Sequence, residues 1–173
     1  MAKITSAYAN KLLKRLDEDI AYCRNLEADS YVYTVATDEE PLIPDYDYSE
    51  VAGEMAKLEE KICIIKHAIN LANATNTVLV YDKEMSIDTL LIRMAQLNRR
   101  KRVLDDMRKR QPKTRLATTM YSNRKGIIEY TYTNYDIELV KTEYDRIDAE
   151  IAQMQMQLDK YNQTVEFEVD IEV

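Results

Sequence analysis

The chain has 173 residues, with only two Gly and three Pro and 32% charged side chains. This composition fits one domain of long helices, since Gly and Pro are the residues that break them. The formal charge is −7, whereas non-specific nucleic-acid binders are basic overall. Thirteen Tyr stand beside one Phe and no Trp, which suits half-buried seams where a ring packs and a hydroxyl stays wet.

In chain order, a first helix is expected over about 4–28, with Leu13, Leu16, Ile20 and Cys23 as its apolar stripe. Tyr31 to Val35 alternates and reads as a short strand, after which Pro41 and Pro44 keep the chain extended. A second helix is expected over about 49–72, starting near Asp47 or Ser49, with Ser49 as its N-cap. Val51, Met55, Leu58, Ile62, Ile65, Ile69 and Ala72 are spaced alternately three and four apart along it. Val78 to Tyr81 is strand-like. The third helix, about 87–111, starts after Ser86 with Asp88 in its first turn, where a negative charge suits the helix dipole. Its stripe of Ile87, Leu90, Met94, Leu97 and Leu104 has a fault at Lys101.

A β-hairpin is expected over about 116–133, with Gly126 in its turn. The fourth helix, about 134–161 and capped by Thr133 or Asn134, carries the longest stripe. Ile137, Val140, Tyr144, Ile147, Ile151, Met154, Leu158 and Tyr161 follow the three-four spacing without a break. A 3.5-residue repeat held that long implies left-handed supercoiling against another helix. Ile64, Leu71, Leu139 and Met156 widen the stripes beyond a two-helix seam. That width calls for a bundle, an oligomer, or both. The tail, 164–173, alternates apolar and acidic residues as a one-faced strand does, or as a segment that pairs with a partner's edge. The expected fold is therefore mainly all-α: a single helical domain, 1–173, of four long helices in an antiparallel bundle or coiled coil, with small β segments.

Several stretches resemble a family of small, uncharacterised bacterial helical proteins often called septicolysin-like. They are Glu40-Pro41 with Pro44-Asp45-Tyr46, Ile69-Asn70 with Asn73, and Leu90-Leu91 with Leu97 and the basic run after it. Tyr121-Ser122, Ile127 to Tyr135, and Leu158-Asp159 with Asn162 complete the set. The resemblance implies long antiparallel, self-associating helices and brings no activity, cofactor or catalytic residue. The family name suggests pore formation, but the sequence has neither a long apolar amphipathic hairpin nor an export signal to go with it.

Charge is unevenly spread. Arg99 to Arg115 holds nine Lys or Arg and two acids, leaving a net −14 for the remainder. Arg99, Arg100, Lys101, Arg102, Arg108, Lys109 and Arg110 are the candidate phosphate- or partner-binding residues. The competing reading pairs them with acidic helices of this chain or of a second copy. An acidic surface that mimics DNA and inhibits a nucleic-acid enzyme is a further alternative.

His67 is the lone histidine, and a helical di-iron site needs two Glu-x-x-His pairs. Cys23, Cys63 and His67 lack zinc-ligand spacing, and no nucleophile is positioned for His67. The two cysteines read as reduced, buried thiols. Asn70, Asn73, Thr75 and Asn76 are expected to satisfy helix-end carbonyls. Met1 to Asp19 has no continuous apolar region, so no signal peptide is expected, and no stretch approaches a membrane span. The expectation is a bacterial cytoplasmic homo-oligomer. It acts as a non-enzymatic scaffold for itself or for a protein partner, with no cofactor, and a nucleic-acid role for 99–115 is the alternative.

Overall fold

A computed structural model describes residues 1–116 and 128–171. Among these the chain is mostly helical, with four helices and small antiparallel strand pairs. The elements are β1 (Ala2–Thr5), α1 (Ser6–Ser30), α2 (Tyr48–Thr75), β2 (Thr77–Val80), β3 (Lys83–Ser86), α3 (Ile87–Arg108), β4 (Lys113–Arg115), β5 (Tyr130–Tyr132), α4 (Ile137–Thr164) and β6 (Glu166–Val169). They fall into two compact units, Met1–Val78 with Leu158–Val173, and Leu79–Gln157.

In the first unit α1 and α2 run antiparallel. One end of the pair packs Ile20 and Cys23 of α1 against Val51 and Leu58 of α2. The other packs Ala9 and Ile65 with Ile4 of β1 and Val169 of β6. β1 and β6 pair antiparallel, Ala2 opposite Val169 and Ile4 opposite Phe167. Period-two alternation puts these four residues on the core face and leaves Lys3 and Glu168 outside, 4.0 Å apart. The apolar-acidic tail thus finds its strand partner in the chain's own first residues. The expected first helix begins at Ile4, whereas Ile4 lies in β1. Thr5 ends that strand and caps α1, its Oγ1 accepting from Tyr8 N at 3.3 Å.

Asp47 is the cap of α2, with Oδ1 accepting from Glu50 N at 3.0 Å; Ser49 lies inside the helix. Tyr31 to Val35 forms no strand. It is exposed and has no edge to pair with, and a strand without a partner has no ladder. Tyr46 ties the connection down by donating its hydroxyl to Glu27 at 3.0 Å.

In the second unit α3 and α4 also run antiparallel: Arg93 meets Glu150 and Lys101 meets Asp148, while Arg108 reaches Tyr144. The expected stripes are the buried ones. Ile87, Leu90, Met94, Leu97 and Leu104 of α3 are buried, as are Val140, Ile147 and Met154 of α4. Ile137, Tyr144 and Ile151 are partly buried. Leu158 and Tyr161, buried in the last turns of α4, belong to the first unit. Several helix ends differ from expectation: α1 ends at Ser30 rather than 28, α2 at Thr75 rather than 72 and α4 at Thr164 rather than 161. α3 stops at Arg108 rather than 111, because Pro112 disfavours helical geometry in the residue before it. α4 starts at Ile137, because Asp136, not Thr133 or Asn134, accepts from Glu138 N at 2.9 Å.

β2, the strand expected at Val78 to Tyr81, pairs with β3 in a hairpin, and β3 itself was not expected. Its two-residue turn places Tyr81 at φ 51°, where Gly or Asn is the usual signal. β4 pairs with β5, Lys113 opposite Tyr132 and Arg115 opposite Tyr130, so the first strand of that hairpin begins three residues earlier than expected. Tyr121, Ser122, Gly126 and Ile127 lie outside the described residues.

Two substitutions test this packing. Gly53 sits mid-helix in α2 with nothing within 4 Å of an added Cβ. Gly53→Ala should therefore stabilise by about 0.5–1 kcal/mol, read as a rise of about 1–4 °C in melting temperature. Ile147 is 2% exposed, so Ile147→Asp should cost about 4 kcal/mol or more, and a native melting curve for that variant would remove the seam.

Candidate functional site

The basic end of α3 is the charged cluster the sequence singled out. Lys101 and Arg108 stand one heptad apart on the stripe of α3, where apolar residues are the rule. Both face Tyr144 of α4. The Arg108 guanidinium carbon lies 3.9 Å from the ring centroid and the Lys101 ammonium 5.4 Å from it. A ring face attracts cations electrostatically, so one tyrosine accommodates two interruptions of the stripe. Lys101 also donates to Asp148, and this bond holds its ammonium above the ordinary lysine range. Asp105 accepts from both Lys109 and Arg108, and those two bonds hold its carboxyl below the usual carboxylate range. One turn away, Glu150 joins the helices by accepting from Arg93 at 3.2 Å and from Arg146 at 3.0 Å.

The seven basic candidates therefore divide. Lys101, Arg108 and Lys109 are engaged in ion pairs or ring contacts within the unit. Arg99, Arg102 and Arg110 are exposed and carry no ion pair among the described residues. Arg100 is exposed too, near enough to Glu143 to favour its charged form.

Beyond α3 the positive charge continues into the β4–β5 hairpin. All six hairpin residues are exposed. The Lys113 ammonium lies 4.1 Å from the Tyr130 centroid and 5.4 Å from that of Tyr132. A cavity of about 760 Å³ opens beside it, between Lys109, Arg110, Arg115, Tyr132, Asn134 and Tyr135 among others. The charges are legible in the sequence, but the cavity is not, because it depends on the pairing of β4 with β5.

The first unit holds a second concavity, of about 690 Å³, between α2 and β6. Ile64, Ala68 and Leu71 of α2 face Phe167 and Val169 of β6 there. Cys63 and His67 lie on the same wall, and Cys63 is exposed rather than buried as expected, because it falls one residue after the Ile62 stripe position. Cys23 is buried. Of the seam residues on α2, Ile65 is buried, while Ile62 and Ile69 are partly so. At the end of α2, Thr75 donates to Leu71 O at 2.8 Å and Asn76 to Ala72 O at 2.9 Å. The Asn76 amide also reaches the buried Tyr161 hydroxyl at 3.5 Å. Among the described residues, no group of three His, Cys, Asp or Glu is placed to hold a metal ion, and no helix is long and apolar enough to cross a membrane.

Neither a family model nor a curated protein matches the chain. One solved structure does, the crystal structure of a functionally unknown conserved protein from Corynebacterium diphtheriae. It is 15% identical with a TM-score of 0.67, over 96% of this chain and 100% of that one. At that identity the likeness is one of fold alone.

The Lys101–Asp148 bond carries a pH prediction. A lysine raised in the folded state contributes stability that is full below its unfolded value of about 10.4 and is lost as pH rises through the folded value. A double-mutant cycle of Lys101→Met with Asp148→Asn should give a favourable coupling of up to about 1 kcal/mol that is flat from pH 6 to 9. The coupling should fall away as pH rises past the ordinary lysine value toward the raised one, and one that instead grows with pH would refute the bond.

Proposed function

We propose that the protein works by binding rather than by catalysis, as a self-associating interaction protein whose contact face is the apolar wall between α2 and β6. The observation that carries this reading is Leu71, which is 58% exposed on that wall. Folding has covered only one side of α2 and left Ile64, Ala68 and Leu71 facing a cavity. The charges at its rim are already matched within the unit: Lys3 with Glu168, and the Met1 amine with Asp170 at 3.9 Å. A neutral apolar face suits another neutral apolar face, and a two-fold axis supplies one by placing the same patch of a second copy against it.

On this proposal the extra helix surface that a bundle requires comes from the second copy. Leu139 and Met156 on α4, 68% and 55% exposed, are further apolar positions for an assembly to cover. Membership of the septicolysin-like helical proteins, resting on the sequence motifs, and residence in the bacterial cytoplasm are parts of the same proposal.

Sedimentation velocity at about 50 μM should return the mass of two chains, and Leu71→Asp should return one. An exposed residue lost from an interface centre costs about 2 kcal/mol or more of binding while leaving the melting of the monomer intact. Single-chain mass for the unmodified protein, or an unchanged dimer for the variant, would contradict the proposal.

A further inference from the structure

We infer that the β4–β5 hairpin and the cavity beside it bind single-stranded nucleic acid, holding phosphates on Arg110 and Arg115 and stacking a base on Tyr132. This site is separate from the proposed self-association face and stands on different observations.

The first observation is chemical. Register puts Lys113 opposite Tyr132 and Arg115 opposite Tyr130, so cations and rings alternate across one pair of strands. Arginine and aromatic planes interleaved in this way are what an unpaired strand uses, since each base offers a π face and each link a negative charge. A duplex hides its base faces, and an acidic peptide has no ring to stack, so neither uses the tyrosines.

The second is electrostatic. Arg110 and Arg115 line the cavity with no ion pair among the described residues, and no carboxylate lines it among them either. Lys109 is already shared with Asp105. The overall charge of −7 opposes a polyanion at long range. At physiological salt, however, charges beyond about 8 Å are largely screened, so the local cations decide the contact.

The third is structural. A two-stranded hairpin exposed on both faces is marginal by itself and gains most from something laid across it. The cavity, about 760 Å³, lies within the range of small-ligand sites and admits a nucleotide.

The test uses the full chain and a fluorescent oligothymidylate of about 15 nucleotides, read by anisotropy from 50 to 300 mM salt. Two phosphate contacts, on Arg110 and Arg115, give a log–log salt slope of about −1.4. The Arg110→Glu/Arg115→Glu double variant should lose tenfold or more in affinity. Tyr132→Ala should lose about fivefold with an unchanged salt slope, and Tyr132→Phe should bind as the unmodified protein does. All these side chains are exposed, so each variant should keep its melting curve. No binding at 50 mM salt, or full binding by the double variant, overturns the inference. So does equal competition by inorganic phosphate or anionic vesicles combined with indifference to Tyr132→Ala, which would mark a general anion patch.

Discussion

Each of the four long helices here buries one narrow apolar stripe, and most of the other structural features follow from that restriction. Apolar residues spaced three and four apart cover a thin arc of the helix, which a single neighbour can close. α1 and α2 close theirs around Ile20, Leu58 and Ile65. α3 and α4 bury Leu97, Leu104 and Ile147 and are joined by Arg93 to Glu150 and Lys101 to Asp148. What lies off the arc must be polar or must meet something else. The 32% charged content serves the first need, through pairs such as Arg146 with Glu143 and Glu150. Leu71, Leu139 and Met156 are apolar residues that folding of one chain leaves unmet.

The seam of the second unit is not uniform, and its interruptions are matched to each other. Lys101, with 28% of its side chain exposed, sits where a leucine is usual. Its partner across the seam is Tyr144, whose ring also receives Arg108. A cation over a ring contributes about 0.5–1 kcal/mol at a wet site, which is less than a buried leucine gains. The layer thus costs some stability relative to an all-apolar seam. In return it suits one alignment of the helices, since a slip of one heptad separates Lys101 from Asp148 and Tyr144 together.

The long stripes were legible in sequence because their period is unambiguous over 22 to 28 residues. Helix ends were less so. Asp136 and Thr133 are both cap residues by type, and only the hydrogen bond from Glu138 N distinguishes them. The strands were read in part. The β6 segment declared itself by alternation, while its partner Ala2–Thr5 is too short to show a period and borders a helix whose stripe absorbs Ile4. The β2–β3 hairpin turns on Tyr81 and Asp82 instead of Asn-Gly, so no turn signal announced it. The basic run was visible as composition. Its division into seam cations and open ones was not, because that depends on which face of α3 meets Tyr144. The α2–β6 wall joins residues about a hundred positions apart, and no local pattern contains it.

The central claim is that one-stripe burial leaves the outer side of α2 apolar and available to a second copy. Hydrogen exchange over residues 60–75, followed from about 1 to 100 μM protein, tests it most directly. The outer side of α2 should exchange more slowly as concentration rises, while α1 stays constant, since its stripe is satisfied within the chain. Exchange independent of concentration along the whole of α2 would contradict the account.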